Sequence, residues 1–278
     1  MLRILTDTGA DIPRLHAEAL GLEVVEIGIQ FEDIPYDQQA DTDFHVFYEN
    51  LTRSKKLPTT SQVTPGQYLD IFEDARAKGD EVLVITISGG LSGTHQSAVM
   101  AEEMSRYEAI RIIDSRQCTL TQRMLAEHAV KLRDAGQSLD AIATELENLR
   151  DDLVLIVVLD TLKYLKKGGR VPPAMAFIGE MLNMKPVVTV RDGKVEPLTK
   201  ARGMDAAKRA LWAQFEADGC DPAFPVFFGY SQNRERGEAF LQETKAKYGL
   251  KECTSVSVGG TIGTHAGAGG IGIGYKKK

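Results

Sequence analysis

Ile85-Thr86-Ile87-Ser88-Gly89-Gly90-Leu91-Ser92-Gly93-Thr94-His95-Gln96-Ser97-Ala98 is the stretch that decides the fold. Val82 to Ile87 is a short, continuous apolar run of the kind found in strands buried on both faces. It passes through a polar, glycine-rich turn into a helical pattern. A strand that feeds a helix in this way is half of a βαβ unit, so the sheet to which it belongs is expected to be parallel.

Working outward, similar runs occur at Ile4-Leu5, Val24 to Ile29, Ile110 to Ile113, Val154 to Leu159, Val187 to Val190, Val226 to Gly229 and Ser255 to Val258. Helical periodicity fills the intervals at 44–51, 66–77, 122–135, 139–150, 205–217 and 234–248. The alternation predicts an α/β protein. Thr64-Pro65 and Asp11-Ile12-Pro13 each read as a capping side chain beside a proline that suits a first helical turn. Asp192-Gly193, between two short runs, reads as a two-residue hairpin turn, which makes the second half of the chain mixed rather than purely parallel.

The length of 278 residues favours two lobes, since a domain averages about 150 residues. The acidic stretch from Glu145 to Asp152 places the expected boundary at 151: a parallel-sheet lobe over 1–151 and a mixed-sheet lobe over 152–278, with a ligand cleft between them. The formal charge of −6 is unsuited to holding a phosphate backbone, so nucleic acid is not an expected partner. Three separated cysteines, Cys118, Cys220 and Cys253, suggest neither a disulfide framework nor a zinc site. The sequence begins without a signal-peptide pattern and contains no run of about eighteen apolar residues, which predicts a cytoplasmic protein with no stable membrane insertion.

Three polar or glycine-rich segments are candidates for chemistry. The turn from Ser88 to Thr94 would aim hydroxyls and free N–H groups at one spot, where an anion fits; the ordinary alternative is a helix cap by Ser88 or Ser92. It lacks the Lys-Ser/Thr of a phosphate-binding loop and the second glycine of a nucleophile elbow. Pro58-Thr59-Thr60-Ser61-Gln62 reads by itself as a capping loop. In the third, half of the residues from Gly259 to Gly274 are glycine, too many for an ordinary strand or helix, and they surround a single His265. The Gly-x-Gly-x-x-Gly match at Gly267 to Gly272 has no room for the following helix that a dinucleotide site needs. No metal-ligand spacing or Ser-His-Asp ordering stands out, so neither a metal nor another cofactor is expected. Cations cluster at Lys166-Lys167-Gly168-Gly169-Arg170, and Lys200 and Arg202 precede a helix, where its dipole disfavours them.

Taken in order, these segments resemble the DegV family, whose members bind a fatty acid between two α/β lobes. The resemblance rests on 6–13, 58–62, 87–98, 113–115, 162–171, Asn183-Met184-Lys185-Pro186, Lys200-Ala201-Arg202 and Gly263-Thr264-His265. It implies a two-lobed fold with an α/β/α first lobe, and a carboxylate held near Thr60, Ser61, Ser92, Gly93, Thr94 and His265, with Arg202 close by. Burial of a sixteen-carbon tail would contribute about 12 kcal/mol gross at roughly 0.8 kcal/mol per methylene, before the cost of immobilising it.

In one branch of the family the protein is the fatty-acid-binding subunit of a bacterial fatty acid kinase, presenting the carboxylate to a separate ATP-binding subunit. Lys166, Lys167 and Arg170 are the implied docking surface for that partner. Two other readings stand beside this one: a phosphoryl- or acyl-transfer enzyme using Ser92, His265 and Arg202, with Asp7 or Asp114 to orient the imidazole, and a lipid-storage or regulatory protein. Thr121 and Arg123 occupy positions where the family commonly has glycine, from which a changed acyl-chain preference is expected.

Overall fold

The computed structural model describes residues 1–41, 43–171 and 183–278. The first elements are β1 (Leu2–Asp7), α1 (Arg14–Leu20), β2 (Leu22–Val25), β3 (Gly28–Gln30), α2 (His45–Arg53) and β4 (Thr59–Ser61). They are followed by α3 (Pro65–Lys78), β5 (Glu81–Thr86), α4 (Thr94–Ser105), β6 (Ile110–Asp114), α5 (Thr119–Asp134) and α6 (Leu139–Leu149). Next come β7 (Leu153–Val158), α7 (Lys163–Lys167), β8 (Met184–Arg191), β9 (Lys194–Arg202) and α8 (Met204–Asp218). The chain ends with β10 (Val226–Tyr230), α9 (Arg234–Tyr248), β11 (Cys253–Ser257), α10 (Gly260–Ala266) and β12 (Ile271–Lys276).

The fully buried run in β5 lies between β1 and β6 in a parallel sheet of order β2-β1-β5-β6. The chain steps from β1 to β2 on one side and later to β5 on the other. Right-handed crossovers therefore put α1, α5 and α6 on one face and α3 and α4 on the opposite face. The C-terminal ends of β1 and β5 form the point where strand order reverses, the usual place for a ligand in an open α/β sheet. Thr64 caps α3 in a full capping box with Gln67.

The second sheet is mixed, in the order β11-β10-β12-β7-β8-β9, with β10 and β11 parallel and the other pairs antiparallel. Asp192 and Gly193 join β8 to β9 with positive φ at both residues, as a hairpin whose twist suits its strands requires. The hairpin tip reaches the first glycine turn. Ser88 Oγ donates to the Gly193 carbonyl at 2.7 Å, and a Cβ on Gly90 would lie 2.5 Å from the same oxygen.

Between the two sheets runs α5, buried from Thr119 through Ala126. The largest apolar core passes through it, joining the parallel sheet to Leu153, Leu155 and Phe227 of the mixed sheet.

Three local expectations are corrected. Asp11 does not cap α1, whose cap position is Pro13; it turns inward and is buried. Thr59-Thr60-Ser61 is the strand β4, paired antiparallel with β3, rather than a capping loop. The C-terminal glycine run does form regular structure, the helix α10 and the sheet strand β12. Its glycines serve close packing: a Cβ at Gly263 would lie 2.7 Å from the Phe47 ring, and one at Gly274 2.9 Å from Leu120 Cβ.

Candidate functional site

Ile27 after β2, Thr60 of β4, the turn after β5, the start of α5, helix α10 and the inner face of the mixed sheet enclose a narrow cavity. It holds about 1020 Å3 of space unoccupied by protein atoms, its mouth included. Its walls are mostly apolar, with Ile87 and Leu91 from the turn after β5 and Leu155, Val157, Val188 and Val195 from the mixed sheet. Gly229 and Gly272, paired across β10 and β12, also line it, so side-chain bulk is withheld at the centre of the mixed sheet.

Polar groups meet where α10, β4 and the first glycine turn converge. Thr60 Oγ1 and His265 Nε2 are hydrogen-bonded at 2.9 Å. His265 Nδ1 is buried with no hydrogen-bond partner among the described residues, and it faces Gly168, where any Cβ would collide with it. Burial, and then the positive charge of Arg170, hold the imidazole down at about 4, so it is neutral at pH 7. Ser92 Oγ lies 2.9 Å from Thr94 Oγ1, and Arg170 donates to the Leu91 carbonyl through Nε at 3.1 Å and to the Gly168 carbonyl through Nη1 at 2.6 Å. Thr60, Ser92, Arg170 and His265 all line the cavity. A long apolar slot closed by hydroxyls, a neutral imidazole and a guanidinium suits an amphiphile with an anionic head.

The family model described as "Uncharacterised protein, DegV family" matches residues 1–278. The chain belongs to the DegV family. A DegV domain-containing protein of Caldanaerobacter subterraneus subsp. tengcongensis is 32% identical over 287 residues, covering 100% of this chain and 99% of the relative. Among solved structures, a DegV family protein from Thermus thermophilus, described by its fatty acid binding, superposes with a TM-score of 0.88 at 31% identity, covering 100% of this chain and 99% of its own. DegV of Bacillus subtilis, described as a fatty acid binding protein, superposes with a TM-score of 0.85 at 28% identity, covering 100% and 99% of the two chains. The two-sheet α/β fold is thus the DegV fold.

Against this DegV frame, the residues expected from the sequence divide into two groups. Thr60, Ser92 and His265 meet at the cavity. Thr94 is buried behind Ser92, and Gly93 caps α4 with Gln62 packed against it; neither lines the cavity. Ser61 is exposed, because successive residues of a strand point to opposite faces and Thr60 takes the inner one. Arg202, at the end of β9, is also exposed and lies outside the described lining.

The guanidinium at the cavity is that of Arg170, a residue expected from the sequence at a docking surface. Of that group, Lys167 is exposed and Lys166 half-buried. The signal that could have separated Arg170 from the lysines is Gly168-Gly169, which lets the chain turn back on itself after α7.

Asp7 accepts hydrogen bonds from Gly9, Ile87 and Gln122, and Asp114 from Gly89 and Arg116, so neither orients His265. Thr121 and Arg123 do not reach the cavity lining either. Thr121 bonds Gln117, and Arg123 bonds Glu127 and the Asp11 carbonyl beside the Phe227 ring. They fill the seam between α5 and the mixed sheet, where they replace packing space rather than ligand space.

Proposed function

We propose that this DegV-family protein binds one long-chain fatty acid, tail in the apolar cavity and carboxylate at Thr60, Ser92, Arg170 and His265. The observation that carries the reading is that those four polar side chains line a mostly apolar slot between the two sheets, with Thr60 and His265 hydrogen-bonded there. Fatty acid binding described for the similarly folded Thermus thermophilus and Bacillus subtilis proteins supports it. A neutral imidazole can pass one hydrogen bond through the Thr60 hydroxyl to a carboxylate oxygen, while the guanidinium balances the charge. Native mass spectrometry of the purified protein tests this: a retained mass matching a fatty acid is expected, and an empty protein that takes up no added fatty acid would refute it.

The reading extends to a partner. The protein presents the bound carboxylate to a separate ATP-dependent kinase subunit that forms the acyl phosphate. Support comes from the position of α7, whose basic C-terminal turn ends in Lys166 and Lys167 just before Gly168, the residue packed on His265. Charge reversal at both lysines should reduce acyl phosphate formation with the cognate kinase while fatty acid binding persists. Unchanged acyl phosphate formation would remove the docking role.

A further inference from the structure

Asp11 is buried at the junction of three elements and touches the candidate site from behind. Its Oδ1 accepts from Gly259 N at 2.8 Å, its Oδ2 from Thr119 Oγ1 at 2.6 Å, and its carbonyl from Arg123 Nη1 at 3.2 Å. Its backbone is left-handed, with φ of 51°, a conformation that aspartate adopts more readily than most residues. Gly259 immediately precedes α10, which carries His265; Thr119 opens α5 and lines the cavity. A Cβ at Gly259 would lie 2.9 Å from Asp11 Oδ1, so the approach depends on glycine. The same seam holds the Thr8 and Thr261 hydroxyls at 2.9 Å and the Tyr48 hydroxyl on the Val258 carbonyl. Asp7, also buried, accepts from Gly9, Ile87 and Gln122.

Helix α10 spans residues Gly260–Ala266 and is rich in glycine, so its own propensity holds it weakly. Its placement must come from outside. At about 1.5 Å of rise per residue, His265 stands about 9 Å along the helix from Gly259. A small tilt at the anchored end therefore moves the imidazole away from Thr60, which belongs to a different element, β4. We propose that Asp11 is the positioning residue of this site, a carboxylate tie that fixes α10, and with it His265, against the cavity wall at Thr119. The inference rests on the fatty-acid reading given above for what the site binds. Burial raises the Asp11 carboxyl to about 7 against the pull of its bonds to Thr119 and Gly259 and the charge of Arg123.

The test compares delipidated Asp11→Ala and Asp11→Asn with the parent protein. The amide keeps an oxygen for Gly259 N and can donate to Thr119 Oγ1; alanine keeps neither. Nitrogen NMR of the His265 ring reports its titration, and the fluorescence of cis-parinaric acid reports binding. Asp11→Ala should move the His265 midpoint up from about 4 toward its ordinary value and weaken cis-parinaric acid binding about tenfold. Asp11→Asn should keep the midpoint within about one unit and binding within about threefold of the parent. An unchanged His265 titration in Asp11→Ala, or equal losses in both variants, would overturn the proposal. Failure of the parent to bind cis-parinaric acid would count against the fatty-acid reading alone, because the titration still tests the tie. Should Asp11→Ala not fold, Thr119→Val removes one of the two donors. It should shift both readouts the same way by less, with rescue by Thr119→Ser, and no shift in Thr119→Val would be equally damaging.

Discussion

At Gly90 the missing side chain makes room for backbone, the Gly193 carbonyl of the hairpin tip; at Gly263 and Gly267 it makes room for the rings of Phe47, Tyr48 and Tyr164. The first segment is a loop that receives a distant hairpin. The second is a helix followed by a strand, pressed between aromatic side chains on one side and Leu120 on the other. Both are glycine-rich for close approach, yet one approach closes the wall of the cavity and the other holds His265 at its polar end. Glycine content thus marks where segments come near each other and does not say what arrives.

The largest effect that would break this contrast is expected at Gly267. Its φ of 77° with ψ near 180° is a conformation open essentially to glycine, and any Cβ would collide with the Tyr164 ring. Gly267→Ala should cost about 3 kcal/mol in urea denaturation, combining backbone strain with overpacking. A cost close to zero would mean that α10 and α7 can separate freely. Gly90→Ala should cost about 2 kcal/mol and raise hydrogen exchange in the hairpin that carries Val190 and Val195. Unaltered exchange there would show that the Gly193 contact does not hold the hairpin down.

Thr60→Val separates function from packing. It leaves His265 Nε2 without its partner, so cis-parinaric acid should bind about tenfold more weakly and stability should fall by about 1 kcal/mol. If binding were unaffected, the hydroxyl–imidazole pair would not belong to the head-group site.

The smallest effect concerns pH. His265, neutral in the fold with its pKa near 4, costs stability as pH falls from about 6.5 to 4, where the unfolded chain gains a proton first. Asp7 and Asp11, raised by burial to about 6 and about 7, act with the opposite sign: their contribution is full below about 4 and is lost as pH rises through those values. His265→Gln should therefore gain stability relative to the parent on acidification, by under about 1 kcal/mol at pH 6. Parallel stability curves for the two proteins would contradict the buried, neutral imidazole.

Much of this was legible in one dimension. The apolar runs became strands because a buried strand needs little beyond continuous β-branched and aliphatic residues; only Val24 to Ile29 divided, into β2 and β3. Asp192-Gly193 was legible because few residue pairs adopt two successive positive φ angles. Thr60, Ser92 and His265 stood out as polar residues within glycine-rich or turn-forming contexts. Ser61, Gly93, Thr94 and Arg202 are expected with them only through the family resemblance, which carries whole segments over together with their neighbours. Adjacency fails for a strand, which sends neighbours to opposite faces, and for Arg202, whose chain position beside a helix does not fix its distance from His265.

The sequence by itself determined the α/β layering, the switch from parallel to mixed sheet, and the residue types able to hold an anionic head, because each depends on local periodicity and backbone permission. Only the tertiary structure decided which of these residues meet. Arg170 rather than Arg202 reaches the cavity because Gly168-Gly169 turns the chain inward over His265. Asp11 ties α10 to α5 because residues 11, 119 and 259 converge on one buried seam. Such convergence is set by packing between elements far apart in the chain, and no local pattern of residues encodes it.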